Sequence, residues 1–510
     1  MKLYSYLQIQ EIEAESLEQT GSTRAQLNEK LGAEAAAAIA EVLAECGCSP
    51  VVFAGPRRCG AIALAAARTM SLANLRPKIY FFNIRGTAAQ PDTTAARDAY
   101  LEACGSDGFE EVTGIFSLPE LSGRDLVVDG LFGSEIDGPL GGAYQELVRR
   151  INESGARIVS IDMPSGLPAD GAPGLINRNI IHADLTLALG LPRLAFFTAE
   201  NAELVGQWQT LDAGYTRACL ASRDTSFNLI ERRQLRRWAF PPRRADSSKA
   251  DYGSLVIFAG SGGMMGAAQL ATRAALRAGA GKVTCHSPRC GYNVMQTAVP
   301  EALFEIDHGD MYLRDIVLRR DYSAVAIGPG IGTHDETVDS LEQFLKVANA
   351  NSRAVVLDAD ALNCIAIRPA MLDYIPVKSV LTPHAGEFDR IFGTHPNSAA
   401  RLARAVEVAM FYKINIVLKG YHTAVVRLDG KVYYNPTGTP ALATAGTGDV
   451  LTGIIGSLMA QGLSSEVAAM AGVYVHGLAG QMAEKDHGSY GVVAGDVADN
   501  VGRAINSIMN

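Results

Sequence analysis

Short apolar runs of strand length recur along the chain, separated by stretches of helical spacing or by polar loops. In the first part they are "PVVFAG", "KIYFFNI", "DLVVDGLFG", "RIVSIDMPSG" and "DLTLALG". These runs lack the apolar–polar alternation of a half-exposed strand, so both of their faces need cover. An Ala-rich stretch over 24–46, another around Ala61–Ser71 and a third before "RIVSIDMPSG" supply helices. Buried strands alternating with helices imply a parallel sheet between helical layers. The rhythm breaks at "ERRQLRRWAFPPRRADSSKADYG", residues 231–253, which is basic and polar, contains Pro241–Pro242, and reads as a linker. It resumes with "SLVIFAG", the helix-patterned "GAAQLATRAALRAGAGKV", and the runs "AVAIGPGIGT", "AVVLDADAL", "SVLTPHAGEF" and "NIVLKGYHT". "AVVRLDGKVYYN" predicts a hairpin around Asp429–Gly430, and two helices close the chain. The expectation is an α/β protein of two three-layer α/β/α domains, 1–222 and 223–510, with no sequence repeat between them.

A length of 510 residues gives both domains room for a sizeable core. The net charge of -9 argues against a nucleic-acid surface, so an anionic ligand must be held by local features. The eight cysteines are scattered. Only Cys46 and Cys48 lie close, and C-x-C alone lacks zinc spacing, so reduced structural thiols are expected. The opening "MKLYSYLQIQEIEAESLEQ" carries acids where a secretion signal needs an apolar core. No uncharged run reaches membrane-spanning length, which leaves the cytosol as the default expectation and no membrane partner.

In open α/β sheets ligands bind beyond the carboxyl ends of the strands. Polar residues of the second half gather at those ends: Gly328-Pro329-Gly330-Ile331-Gly332, Asp358, Asp360, Thr382-Pro383-His384 and Lys419-Gly420. Taken singly, His384 is more often a hydrogen-bonded core histidine and Lys419 a surface cation. Several such ends ahead of "NPTGTPALATAGTGDVLTG", Asn435–Gly453, favour a site over coincidence. There Asp449 follows Gly446, Thr447 and Gly448, and helical spacing begins behind it. One reading is a helix N-cap. The other is a base that takes a hydroxyl proton while the bare loop holds a phosphate.

The motifs "GPGIGT", "VVLDADALN", "LTPHAGEF", "VLKGYHT" and "NPTGTPALATAGTGDVLTGIIGSLMAQG", in this order, resemble the ADP-dependent NAD(P)H-hydrate dehydratase family over roughly 225–510, as does the opening "DSSKADYGSLVIFAGSGGMMGAA". The family usually reads His-Lys-Gly where this chain has Ser248-Lys249-Ala250, a peripheral contact. The resemblance implies a ribokinase-like fold and the repair of hydrated nicotinamide cofactor. The nucleotide phosphorylates the ring's C6 hydroxyl, phosphate leaves, and the double bond re-forms. It implies Asp449 as the base and Gly446, Thr447 and Gly448 as the anion loop. Lys419, Gly420, Tyr421, His422, Thr423 and Gly448 would bind ADP or AMP. Ala267, Gly332 and His384 would line the hydrate site with Asp449. Magnesium is implied as cofactor.

"DLVVDGLFGSEIDGPL", "VSIDMPSGLPADG" and "ADLTLALGLPRL" resemble the NAD(P)H-hydrate epimerase domain over about 1–210, which implies a Rossmann-like fold. Asp129 and Ser165 match potassium ligands. Asp162 matches a substrate contact, and Gly133 to Pro139 a substrate loop. The family's G-P-G-N-N-G-G-D-G is here Gly55-Pro56-Arg57-Arg58-Cys59-Gly60-Ala61-Ile62-Ala63, and its lysine after the last strand is Arg193. A thiol is a poor ligand for a hard cation, and Arg does not readily give up a proton. The expectation is a retained scaffold with weak or absent epimerase activity, in a homo-oligomer. Two rival readings are a vitamin-precursor kinase of the same superfamily and a nucleotide-binding sensor.

Overall fold

The computed structural model describes residues 1–84, 89–114, 119–136, 140–171 and 179–510. It divides into two compact units, Lys2–Thr225 and Ser226–Asn510 with Met1.

The sheet of the first unit is ordered Phe109–Val112, Lys78–Phe82, Ser49–Ala54, Asp125–Gly130, Arg157–Ile161, Leu185–Leu189, Gln207–Leu211, with every neighbouring pair parallel. Helix Arg24–Cys46 starts where Thr23 and Gln26 form a capping box, and it stops at Gly47, whose φ of 65° is left-handed. Its Leu27, Leu31, Ala35 and Ile39 pack against Ile62, Ala66 and Met70 of helix Arg58–Leu72 in one core. Phe53, Val127, Leu147 and Ile151 build a second core on the other side of the strands. The order reverses between Ser49–Ala54 and Asp125–Gly130, so the loops after these two strands form the crevice where a ligand belongs. They pack closely: Gly55 N–H donates to the Gly130 carbonyl at 2.9 Å, and a Cβ on Gly55 would lie 1.6 Å from the Leu131 oxygen.

In the second unit the strand order is Phe227–Leu229, Val432–Tyr434, Ala424–Val426, Asn415–Leu418, Val380–Leu381, Val356–Leu357, Ala324–Ile327, Ser254–Phe258, Lys282–Ser287, Leu303–Ile306. All pairs are parallel except the two that Ala424–Val426 makes. The hairpin expected at Asp429–Gly430 is present. The switch point lies between Ser254–Phe258 and Ala324–Ile327, and Gly328–Gly332 and Gly260–Ser261 extend from it. Gly260 N–H donates to the Pro329 carbonyl at 2.8 Å and Ser261 Oγ to the Gly330 carbonyl at 2.8 Å.

Part of 231–253 is not a linker. Arg232–Trp238 is helical, and Ile230, Leu235, Ala239 and Phe240 are buried in the core of the second unit. The intervening arginines mask these apolar positions. The acidic opening stretch is also structured, as helix Tyr6–Thr20 with a Ser5–Gln8 capping box. No helix among the described residues is long and apolar enough to cross a membrane.

Candidate active site

Helix Thr447–Ala460 begins at Gly446, whose φ of 91° favours glycine, and no side chain among the described residues caps it. Asp449 is therefore not the N-cap; it lies in the first turn. The first intrahelical bond runs from Val450 N–H to the Gly446 carbonyl at 3.2 Å. The N–H groups before it point out of the helix, where its dipole favours negative charge. His476 Nε2 lies 2.9 Å from the Thr447 carbonyl. A carbonyl only accepts, so that nitrogen donates. Burial pushes the His476 pKa down to about 4, and it braces the loop as a neutral ring.

Lys419 reaches this turn from the end of the Asn415–Leu418 strand. A Cβ on Gly448 would lie 3.4 Å from Lys419 Nζ. The ammonium donates to Asp358 Oδ1 at 3.0 Å and is 3.8 Å from Glu387 Oε2. Burial alone would lower its pKa. Asp358, Glu387 and Asp449 outweigh burial and hold it above the ordinary lysine value. Asp358 is buried and accepts from Thr452 Oγ1 at 2.5 Å, one turn beyond Asp449. Asp449 is pushed up to about 7, chiefly by burial, then by the negative charge of Asp358, with Lys419 opposing. A carboxylate half-ionised near neutrality, beside a cation and a bare helix N-terminus, can exchange a proton with a substrate hydroxyl while an anion is held next to it.

Other residues expected from sequence extend from this centre. Gly332 N–H donates to Asp360 Oδ2 at 2.9 Å. A Cβ on neighbouring Gly330 would lie 3.1 Å from that of Ala267. His384 bridges to Lys419 in parallel register. Its Nδ1 accepts from Gly386 and Glu387 N–H at 3.0 and 3.2 Å, and Glu387 answers by accepting from His384 N–H at 2.8 Å. His384 thus caps helix Ala385–Phe392 and leaves its other ring edge half exposed. Gly420, Tyr421, His422 and Thr423 form the turn after Lys419. Within that turn Thr423 Oγ1 bonds the Gly420 carbonyl and His422 Nδ1 the Asn435 carbonyl. Burial lowers the His422 pKa and keeps that ring neutral. Sequence reading missed Glu387, Thr452 and His476. The H-x-x-E spacing of a capping box could have drawn in Glu387; His476 carries no local signal.

In the first unit the expected residues lie around the switch-point crevice, except Asp137, Gly138 and Pro139, which lie outside the described residues. Asp129 is buried and engaged on both oxygens. Oδ1 accepts from Ser165 Oγ at 2.6 Å and Leu131 N–H at 3.2 Å; Oδ2 accepts from Ser165 N–H at 2.8 Å and Ser160 Oγ at 2.9 Å. Cys59 Sγ donates to the Ile161 carbonyl at 3.0 Å, and burial holds the thiol protonated. This donor set does not fit potassium: oxygens that would face it are spent on one another, and a thiol replaces an amide oxygen. Gly133 packs against Asp162 and Cys59. Asp162 accepts from Ser134 N–H at 2.9 Å and from Arg193 at 2.7 Å. Burial pushes its pKa up, but Arg193 and Ser134 prevail and keep it ionised. Arg58 turns inward, to Glu13 at 2.9 Å and Asn28 at 3.0 Å.

Two families match the chain: the one described as NAD(P)H-hydrate dehydratase over residues 255–503 and the one described as YjeF-related protein N-terminus over 24–195. The bifunctional NAD(P)H-hydrate repair enzyme of Thermofilum pendens is 32% identical over 527 residues, covering 100% of this chain and 97% of its own length. That of Moorella thermoacetica is 37% identical over 387 residues, 74% of this chain and 72% of its own. Among solved structures, the ADP/ATP-dependent NAD(P)H-hydrate dehydratase of Bacillus subtilis, co-crystallised with ATP and Mg2+, is 30% identical. It covers 55% of this chain and 98% of its own, with a TM-score of 0.48.

Proposed function

The chain belongs to the bifunctional NAD(P)H-hydrate repair enzymes, and from that premise we propose that its second unit dehydrates the S hydrate at the expense of ADP, with Asp449 as the base. One observation carries this reading: Asp449, pushed up to about 7, lies in a first helical turn that no side chain among the described residues caps, and it faces Lys419. Asp449 would take the proton of the C6 hydroxyl as that oxygen attacks the terminal phosphoryl group. The Gly446–Gly448 turn and Lys419 would bear the charge spreading over the phosphoryl oxygens. AMP is released as the phosphoryl group is transferred; the C6–O bond then breaks with phosphate as the leaving group, the neighbouring ring carbon gives up a proton, and the double bond re-forms between the two carbons.

The Lys419–Thr423 turn would hold the nucleotide, and Ala267, Gly332 and His384 the hydrate. Magnesium would neutralise phosphate charge, and Asp360 is a carboxylate suited to hold it alongside those phosphates. For the first unit we propose a scaffold without potassium and with little epimerase activity, because Asp129, Ser165 and Cys59 are bonded to protein. A cytosolic homo-oligomer remains the expected setting. The test supplies pure S hydrate, ADP or ATP, and Mg2+. Restored nicotinamide absorbance with free phosphate supports the reading. A stable phosphate ester would mark a kinase, and nucleotide binding without turnover a sensor.

A further inference from the structure

The crevice of the first unit encloses a cavity of about 260 Å3. That is room for several waters at ~30 Å3 each, or for one small organic molecule, and it falls below the roughly 300–1,000 Å3 of drug-sized ligand sites. Its lining includes Arg58, Arg193, Ser134, Glu135, Tyr6 and Tyr215. Both arginines are anchored from behind: Arg58 Nη1 by Glu13 and Nε by Asn28, Arg193 Nη2 by Asp162 and Nη1 by the Leu191 carbonyl. Each keeps one buried N–H without an acceptor among the described residues, Nη2 on Arg58 and Nε on Arg193. The Arg193 side chain is only 3% exposed. An unpaired charged donor at such depth is costly unless something completes it. Glu135 adds a buried oxygen, Oε2, also without a partner.

We propose that this cavity is a binding site for a small monocarboxylate, its oxygens received by Arg58 Nη2 and Arg193 Nε. Planar guanidinium donors suit a carboxylate. Geometry selects a single carboxylate. The two buried guanidinium donors without acceptors among the described residues can receive one such group. A second carboxylate in a cavity of this size would face Glu13, Asp162 and Glu135, whose charge repels it. The site rests on the reading of this half as one whose polar loop has been replaced, since Arg58 and Cys59 occupy that loop.

The test is calorimetric titration of the full-length chain with sodium pyruvate, acetate and succinate. Saturable heat with pyruvate is expected, at least tenfold weaker binding of succinate, and at least tenfold weaker pyruvate binding in Arg58→Gln. Arg193→Lys keeps a charge beside Asp162 but loses the Nε donor, so it should weaken pyruvate similarly and covers the case in which Arg58→Gln fails to fold. Lys419→Gln, in the other unit, should bind pyruvate normally. No heat with any monocarboxylate would mean that the cavity holds only water and would overturn the proposal. So would equal binding of succinate, or loss with Lys419→Gln in place of the arginine variants. Dehydration of S hydrate by the same preparations is a separate readout: a chain that dehydrates without binding pyruvate overturns this site alone.

Discussion

A lone acid behind a glycine loop admits two readings from sequence, and position within one helical turn separates them. Asp449 does not cap its helix; Gly446 holds that place, and burial with Asp358 nearby brings Asp449 to about pH 7. Asp449→Asn should therefore keep nucleotide affinity and lose turnover by several orders of magnitude, because base and positioning roles go together. In the native chain kcat should rise with pH and level off above about 7, as the base form fills. A flat profile from pH 5 to 9 would contradict this role. Stability should run the other way. The folded-state pKa lies above the ordinary 3.8, so the stability this group contributes is present below pH 4 and lost as pH rises through 7. Asp449→Asn should melt higher than the native chain at pH 8, with the gap closing towards pH 4. Two neighbours divide the site. Lys419 sits against Gly448, so Lys419→Ala should chiefly raise the Kd for ADP. His384 keeps its Nε2 edge half exposed beside Glu387, so His384→Ala should chiefly raise KM for the hydrate. Nucleotide titration and hydrate kinetics on both variants decide it; a reversed pattern would exchange the two halves of the site.

Elements were the most legible level. Helix Arg24–Cys46 and the first-unit strands are written in continuous apolar runs with Thr and Gly at their boundaries, signals that need no tertiary context. What escaped needs the folded neighbour. Arg232–Trp238 looks like a polar linker until Leu235 meets a core that only the completed sheet provides. Strand Gln207–Leu211 lies at a sheet edge, mostly outside the core, and so shows no buried run. The site divides in the same way. Residues on strand ends and in the glycine loop were visible in order along the chain, whereas His476 reaches Thr447 from the middle of helix Ser465–His487. Helix placement depends on a close approach as well. A Cβ on Gly453 would lie 2.1 Å from the Ala271 carbonyl oxygen in helix Met265–Arg277. Because the obstacle is backbone, the two helices must part. Gly453→Ala should cost roughly 1–3 kcal/mol, the usual range for overpacking. It should also raise KM for the hydrate, since Ala267 rides on the displaced helix. Urea unfolding and steady-state kinetics on this variant check both effects; an unchanged midpoint would mean that the approach relaxes without strain.

At the scale of the whole molecule, both α/β units gather their candidate site residues beyond the carboxyl ends of parallel strands, yet the bonding of those residues differs. In the second unit the polar residues point at one another across an open turn and keep a cation, an acid near neutrality and a helix N-terminus without a side-chain cap among the described residues together. In the first unit the comparable groups are consumed. Asp129 accepts four hydrogen bonds from its own unit, Cys59 donates to Ile161, and Asp162 is locked to Arg193 and Ser134. Moving a proton at a carbon beside the nicotinamide nitrogen requires a group that can give and take one. Arg193 stays protonated, and Asp162, surrounded by donors, is a weak base. Full-length protein given pure R hydrate with excess ADP and Mg2+ should therefore consume it no faster than R converts to S unaided, a rate measured in parallel without protein. With pure S hydrate the same preparation should turn over rapidly, which shows that the slow R reaction is not a folding failure. Added potassium should change neither rate, because Asp129 already accepts four hydrogen bonds and Ser165 Oγ is tied to it and to Phe132 N–H. A rate on R hydrate well above the spontaneous one, and rising with potassium, would mean that these hydrogen bonds yield to the cation and that the altered glycine loop still supports catalysis.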